Sequence, residues 1–527
     1  MRLKDLTLRE KVYKTFILNT NFMMGEGTLE EFFEKYPVGG LYFSKGSVQG
    51  LVEMKEGDSI VRSDFIKACR KVSKYPLVVC ADGASIGDEG LAACQTEALG
   101  AADSEKLAYR YGKALGMQMN ANDVDWLLGP CIDMPFNRFV DSVCSCMSDD
   151  PEFTARIYSQ VVKGIQDQNV AATVKHFPGI GTESVNCHLT STGKNSLTFD
   201  EWMKTYGYTY LKMFEAGAMS TMNTHISLPS YSEKVDFGYS PIATYSKDLN
   251  IKLLKEELGF DGVLVTDAMT MAGCAVGDQV EQSVAAFACG ADFILWPPVE
   301  AGECIIEELE SGRIPMERLD DAIERIQRFL DRLGIEDKER DKPEVDVQLV
   351  DDVFEETIRK GITLVRNHVG NLPMVKEKKR VLVNLIAPDA ARSNRDEKIE
   401  GAKYLIEILQ ENGFEAEFRW NYSCFWEPFM EEETKEYDYI IIMLDAPYTI
   451  GSYRDCFNAV WTVHLLPETK KIFLNFSSPF FIDDYYPQEQ TFVQVNSRIN
   501  KTSVKAVADA ILGKMEMTGK LQVKVNV

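Results

Sequence analysis

Polar residues able to act on a substrate follow several short apolar segments in the N-terminal part of the chain. Asp267 directly follows Val-Leu-Val-Thr, and Lys175 and His176 end the segment Ala-Thr-Val-Lys-His. Asn223 and His225 follow the run Ala-Met-Ser-Thr-Met. A carboxylate can act as a nucleophile, an imidazole can transfer a proton, and Lys and His side chains can donate to hydroxyl or carbonyl oxygens.

Two further residues complete this set of candidates. Asp82 ends Pro-Leu-Val-Val-Cys-Ala-Asp, and His188 lies in the loop that follows His176. Histidine, with a reference pKa of about 6.5, suits proton transfer near neutral pH. Each residue also has a simpler explanation, since Asp267 could cap a following helix and His188 could be an exposed loop residue. Because three of the five histidines of the chain occur at these places, we favour an active site.

The elements that must position these residues are short apolar runs, each bounded by Gly, Pro or a polar residue. They cover residues 39–43, 76–81, 125–128, 172–176, 218–222, 262–266 and 292–296. Helical patterns lie between them, at 103–119, 151–168 and 247–258. Such alternation predicts an α/β fold with a parallel sheet, most simply a (β/α)8 TIM-like barrel whose catalytic groups lie at the C-terminal strand ends. An open doubly wound sheet is the alternative.

The composition changes at residues 332–345, which are highly charged and contain Pro343. A second alternation of helices and strands follows, without a dinucleotide-binding glycine motif. We therefore predict a catalytic barrel at 1–335, a linker at 336–350 and a smaller three-layer α/β sandwich domain at 351–527.

Charge and composition exclude several classes of function. The net charge of −24 argues against nucleic acid as a partner. The charged N-terminus and the lack of a long apolar stretch predict a cytoplasmic protein with no secretory signal and no membrane association. The 12 cysteines are predicted to be mostly reduced thiols, and neither a metal nor a cofactor is expected. The oligomeric state is left open.

Two motifs resemble those of glycoside hydrolase family 3, in its β-N-acetylglucosaminidase branch. Lys-His-Phe-Pro-Gly-Ile-Gly at 175–181 with Asn-Cys-His at 186–188 is similar to the signature loop of the family. Residues 257–271, ELGFDGVLVTDAMTM, resemble its nucleophile strand. Residues 290–292, 359–373 and 506–523 also resemble family segments, so the similarity covers most of the chain.

The resemblance implies a retaining reaction through a covalent glycosyl-enzyme. It makes Asp267 the nucleophile and His188 the acid/base. It also implies that Lys175 and His176 bind sugar hydroxyls and that Asp82 binds the more distal ones. Asn223 and His225 are predicted to contact the substrate as well.

The chain departs from the family pattern at several positions. Asn186 replaces the acid that orients the loop histidine, Ile180 replaces a second histidine, and Ser145 stands where an arginine is expected. We predict that Asn186 still orients His188 by a hydrogen bond. Without the acid, the site should favour phosphate over water as acceptor, with Thr182, Ser184 and Asn186 as candidate phosphate ligands.

The sequence thus predicts a β-glycoside phosphorylase that passes glucosyl or N-acetylglucosaminyl to phosphate. A retaining β-N-acetylglucosaminidase or β-glucosidase that uses water is the first alternative. A catalytically inactive carbohydrate-binding protein and a metal-dependent barrel hydrolase using His176, His188, His225 and Asp267 are the others. The preferred sugar and the aglycone are left open.

Overall fold

The computed structural model describes the chain outside residues 1, 21–22, 24–26, 44–47, 50–58, 61, 83–95, 141–142, 233–239, 276, 336–342, 388–394, 421–433, 447–465, 485–487 and 527. The described residues form two compact units. The first contains Met1–Leu91, Ala108–Asp133 and Pro151–Val350, and the second contains Ala92–Leu107, Met134–Asp150 and Asp351–Val527. Two segments predicted within the barrel, 92–107 and 134–150, are thus grouped with the C-terminal residues. The domain limits at 335 and 351 stay predictions, and residues 336–342 of the predicted linker lie outside the described residues.

The first unit contains eight parallel strands in chain order. They are β1 Phe16–Asn19, β2 Gly40–Tyr42, β3 Val78–Asp82, β4 Trp126–Leu128, β5 Ala171–Phe177, β6 Ser220–Asn223, β7 Val263–Thr266 and β8 Ile294–Leu295. Each strand pairs with the next from β1 to β7, and β8 pairs with β1. A parallel bridge from Val265 to Phe293 joins the two ends of this sheet. The barrel prediction is therefore confirmed, and the open-sheet alternative is wrong.

Helices precede, separate and follow the strands of the barrel. Their bounds are Leu8–Tyr13, Leu29–Lys35, Arg62–Val72, Glu105–Ala121, Pro151–Gln166, Phe199–Trp202, Met203–Gly207, Tyr208–Glu215, Asp248–Glu257, Gln279–Ala288, Ala301–Glu310 and Met316–Leu333. The residues of β1, β4, β5, β6 and β7 are buried throughout, as expected for strands covered on both faces.

The second unit contains a six-stranded sheet. Its strands are β9 Thr363–Asn367, β10 Arg380–Ile386, β11 Glu415–Trp420, β12 Tyr439–Leu444, β13 Lys471–Asn475 and β14 Thr491–Gln494, in the order β9-β14-β13-β12-β10-β11. Only the β9–β14 pair among these is antiparallel. The helices Thr96–Ala102, Val143–Ser145, Val347–Gly361, Arg395–Glu411, Phe481–Asp484 and Lys501–Ile511 are the other described elements of this part of the chain. No helix among the described residues is long and apolar enough to cross a bilayer.

Candidate active site

The candidate residues meet at the C-terminal ends of the barrel strands. Asp82 is the last residue of β3, Lys175 and His176 are near the end of β5, and Asp267 follows β7. Parallel strands end at one side of a barrel, so these side chains are brought to a common face. The register between β5 and β6 shifts between Lys175 and Phe177. Such an irregularity re-aims side chains and is common beside active sites.

Asp267 lies at the floor of this face and is only 4% exposed. Its Oδ1 accepts a hydrogen bond from the Ala268 amide at 2.9 Å, and its Oδ2 accepts one from the Thr224 hydroxyl at 2.8 Å. Burial opposes ionisation, but His176 and His188 outweigh it and hold the pKa of Asp267 below its usual range. The helix-cap alternative is not what the structure shows, because the next short helix, Ala272–Cys274, is preceded by Met271. Asp267 is thus an oriented carboxylate, ionised at neutral pH.

His188 lies directly beside this carboxylate. Its Nε2 is 3.9 Å from Asp267 Oδ2, and its side chain is 31% exposed. Its backbone oxygen accepts from the Ala272 amide at 3.3 Å, and that of Cys187 accepts from the Gly273 amide at 2.9 Å. The loop is therefore tied to the segment that follows Asp267. A partly exposed imidazole next to a buried carboxylate has the placement that proton transfer to a bound substrate requires.

Asn186 acts on the backbone of this loop. Its side-chain oxygen accepts hydrogen bonds from the amides of His188 at 3.0 Å and Leu189 at 2.9 Å. The atom next to the imidazole Nδ1 is instead the Cys187 sulfur, at 3.8 Å. Asn186 therefore positions His188 through its main chain in this structure, and the predicted side-chain orientation stays a prediction.

Lys175 and Asp82 form an ion pair within the same site. Their Nζ and Oδ1 atoms are 2.9 Å apart, and the Lys175 side chain is almost completely buried. Burial disfavours the ammonium, but the Asp82 carboxylate offsets this and raises the pKa of Lys175. The pair offers both donors and acceptors, which suits hydroxyl groups of a sugar.

His176 has a partner that the sequence did not indicate. The Asp133 carboxylate, whose side chain is fully buried, lies 2.7 Å from His176 Nδ1 and also accepts from the Ile180 amide at 2.8 Å. Burial opposes the imidazolium, but Asp133 outweighs it and raises the pKa of His176 to about 10. The Ile132 amide donates to the Lys175 oxygen at 2.8 Å, which brings the 131–133 segment beside β5. The signal that the sequence offered for Asp133 was an acidic residue placed between two apolar ones, Ile132 and Met134.

Asn223 and His225 have protein partners. The side-chain NH2 group of Asn223 donates to the side-chain oxygen of Asn250, on the helix Asp248–Glu257, at 3.0 Å. The ring nitrogens of His225 lie 2.8 Å from the Thr244 hydroxyl and 3.2 Å from the Ala268 oxygen, and burial lowers its pKa. These contacts favour supporting roles, and their predicted contacts with substrate stay predictions.

The candidate phosphate ligands occupy the loop before His188. The Thr182 hydroxyl accepts from the Ser196 amide at 3.0 Å and donates to the Lys194 oxygen at 3.3 Å. Ser184 is exposed. Glu183, the one acid at 177–190, pairs with Lys194, with Oε1 3.4 Å from Nζ.

Among the residues that the structure describes, two groups of side chains have the composition and spacing to be considered for a metal ion. They are Cys131 with Asp133 and His176, and His176 with His188 and Asp267. The 2.7 Å between His176 and Asp133 is a hydrogen-bond length, shorter than the about 3.3 Å between two ligands of tetrahedral zinc. Hydrogen bonding therefore accounts for the first group better than a metal does.

Comparisons with known proteins agree with this geometry. The model of the glycosyl hydrolase family 3 N terminal domain matches residues 7–329. A beta-N-acetylglucosaminidase/beta-glucosidase of Cellulomonas fimi is 25% identical over 91% of this chain and 89% of its own length. A beta-hexosaminidase of Nitrosospira multiformis is 29% identical over 40% of this chain and 58% of its own length.

Solved structures share the fold of the whole chain. The structure of beta-glucoside phosphorylase BglX bound to 2FGlc superposes with a TM-score of 0.80 at 23% identity, covering 99% of this chain and 95% of that chain. A family 3 beta-N-acetylglucosaminidase from Paenibacillus sp. str. FPU-7 also gives 0.80, at 22% identity over 98% and 99% of the two chains. The chain is therefore a glycosidase that belongs to glycosyl hydrolase family 3.

Proposed function

We propose that this glycosidase is a retaining β-glycoside phosphorylase, which transfers a glucosyl or N-acetylglucosaminyl group to inorganic phosphate. The observation that carries the proposal is the neutral Asn186, whose oxygen is used to cap the backbone of His188 and Leu189. Position 186 therefore lacks a carboxylate, the group that would strengthen a histidine base. One of the structural neighbours is named as a beta-glucoside phosphorylase, which supports the same function.

In the first step an Asp267 oxygen attacks the anomeric carbon, and the bond to the aglycone oxygen breaks. His188 gives its proton to that oxygen, and a covalent glycosyl-Asp267 ester remains. The Thr224 hydroxyl and the Ala268 amide hold the carboxylate in a fixed orientation for this attack. The 3.9 Å between His188 Nε2 and Asp267 Oδ2 is shorter than the roughly 5–5.5 Å between the carboxyl groups of retaining glycosidases. We therefore expect the imidazole to move outward when a glycoside binds.

In the second step a phosphate oxygen attacks the anomeric carbon and displaces Asp267. Two inversions give a sugar 1-phosphate that retains the original configuration. Water must lose a proton to attack, whereas phosphate is already an anion and needs little help from a base. The acceptor is thus decided by how well the loop beside the glycosyl-Asp267 ester tolerates an anion, since Asp267 regains its own charge only as the ester bond breaks.

The charges around the site favour an anionic acceptor. A carboxylate about 5 Å from a bound phosphate would cost roughly 3 kcal/mol at an effective dielectric constant near 20, or about two orders of magnitude in affinity. Asn186 removes that charge, and Glu183 is paired with Lys194. Among the predicted phosphate ligands, Asn186 is best supported. Its side-chain oxygen accepts the hydrogen bonds from the His188 and Leu189 amides, and its NH2 group supplies the donors that an anion requires. Thr182 and Ser184 have weaker support as phosphate ligands.

Hydrolysis is the second candidate. His188 is close enough to the ester position to activate a water molecule, and the Cellulomonas fimi relative is named as a glycosidase. An inactive carbohydrate-binding protein is disfavoured, because it would have no use for an ionised Asp267 beside His188.

Product analysis in millimolar phosphate tests the proposal. Aryl β-glucoside and aryl β-N-acetylglucosaminide are each assayed with and without phosphate, and a retained sugar 1-phosphate is the expected product. Asn186→Asp should lower the ratio of phosphorolysis to hydrolysis by up to about 100-fold. Asn500→Asp is the matched control, since Asn500 also caps a backbone amide, that of Ser503 at 2.8 Å, and gains the same charge. If phosphate changes neither rate nor product, the enzyme is a hydrolase.

A further inference from the structure

Trp296, immediately after β8, has an unusual backbone conformation. Its φ is +63°, in the left-handed region that bulky side chains rarely adopt. The conformation is held by a hydrogen bond from the Trp296 amide to the Ile17 oxygen at 2.8 Å and by one from Gln279 Nε2 to the Trp296 oxygen at 3.3 Å. A strained residue that the surrounding structure enforces is a reason to look for a function.

The ring of Trp296 packs against a second aromatic side chain at the same face of the barrel. Tyr42 is the last residue of β2, and the two ring centroids are 4.9 Å apart at 68°, an edge-to-face contact. Both residues are partly exposed. Since β2 and β8 end on the side of the barrel where Asp82 and Asp267 lie, the pair belongs to the same face of the barrel.

Hydrogen bonds connect Trp296 to the segment that follows the nucleophile. Gln279 Nε2 also lies 3.4 Å from the Met269 oxygen, and the Met269 amide donates to the Leu295 oxygen at 3.0 Å. Gln279 therefore holds two residues together: Met269, which is two positions after Asp267, and Trp296. The parallel bridge from Val265 to Phe293 brings β8 beside β7, the strand that Asp267 follows, whereas the His188 loop follows β5.

We infer that Trp296 and Tyr42 form an aromatic wall of the sugar site and contact the apolar C–H face of the sugar held over Asp267. An aromatic ring supplies a rigid apolar surface on which the C–H groups of a sugar can pack. The wall faces the transferred sugar rather than the aglycone, because the aglycone oxygen must lie at His188. This inference rests on the glycoside-binding part of the proposed function and is independent of whether phosphate or water is the acceptor.

Ligand binding without turnover tests the wall. The probes are methyl 1-thio-β-D-glucoside and its 2-acetamido analogue, titrated calorimetrically and by tryptophan fluorescence. Trp296→Leu, which keeps an apolar side chain but removes the flat ring, should weaken binding of the better probe about tenfold. Trp126→Phe is the matched control, because Trp126 is a buried tryptophan on β4 and should leave the dissociation constant unchanged.

A second variant keeps the test decisive if Trp296→Leu does not fold. In the wild type and in Trp126→Phe the probe should change tryptophan fluorescence, and in Trp296→Phe that change should be lost. Unaltered affinity in folded Trp296→Leu, or an unaltered fluorescence response in Trp296→Phe, overturns the aromatic wall. Failure of the wild type to bind either probe would refute the glycoside site as well. A phosphate-independent product with normal probe binding would refute only the phosphorylase assignment.

Discussion

Replacing Asp133 by Asn is the sharpest probe of the charge arrangement under the site. The Asn side chain has nearly the same shape and keeps an oxygen for the Ile180 amide, which now donates to Asp133 at 2.8 Å. It cannot compensate a charged His176, whose Nδ1 lies 2.7 Å from the carboxylate. We therefore expect His176 to become neutral in the variant and the protein to lose the stability that the charged pair contributes.

The size of this effect follows from the pKa of His176. Its value of about 10 in the folded protein, against about 6.5 in an unfolded chain, corresponds to about 5 kcal/mol of unfolding free energy. Breaking a buried ion pair typically costs about 3–5 kcal/mol, which agrees. Because the folded pKa is raised, the contribution is complete below pH 6.5 and is lost as the pH rises through 10. It should fall to about 3 kcal/mol at pH 8 and below about 1 kcal/mol at pH 10.

The assay is urea unfolding of the wild type and Asp133→Asn at pH 6, 8 and 10. Asp125→Asn is the matched control, since Asp125 is also a fully buried carboxylate but pairs with Arg70 instead of a histidine. Its destabilisation should be independent of pH from 6 to 10. If the cost of Asp133→Asn is equally constant with pH, the assignment of a charged His176 is wrong.

Two further predictions concern the catalytic pair. Asp267→Ala should abolish turnover of activated aryl glycosides, whereas the control Asp261→Ala, at an exposed ion pair with Arg328, should not. A 2-fluoro sugar should label Asp267, and labelling of another carboxylate would contradict its role as nucleophile. His188→Gln should slow substrates with poor leaving groups by about 10²–10⁴-fold and nitrophenyl glycosides far less, because nitrophenolate hardly needs a proton. Equal losses on both substrate types would show that His188 only holds the loop.

The fold was largely predictable because it depends on local patterns. Short apolar runs bounded by Gly, Pro or polar residues mark buried parallel strands, and seven of the eight barrel strands were found in this way. The first, Phe16–Asn19, is not among the predicted runs; in the second unit the edge strands of the sheet are Thr363–Asn367 and Glu415–Trp420. These edge strands contain exposed and half-buried residues, so their sequences lack the continuous apolar character of the central ones.

The residues at strand ends were also predictable, because a strand end is defined along the chain. Asp82, Lys175, His176 and Asp267 could therefore be selected together before any distance was known. Their partners could not be, since these come from distant parts of the sequence. Asp133 is 43 residues before His176 and reaches it only because the 131–133 segment lies beside β5.

Residue types and their order along the chain are enough to predict the barrel and the polar residues at the ends of its strands. Contacts made in the folded chain set where each side chain points: Asn223 towards Asn250, Asn186 towards the backbone of its own loop, and Trp296 against Tyr42. They also set the charge states, because the pKa of a buried group depends on the balance between lost hydration and nearby charges. That balance is a property of packing between distant segments, which residue types and their spacing do not specify.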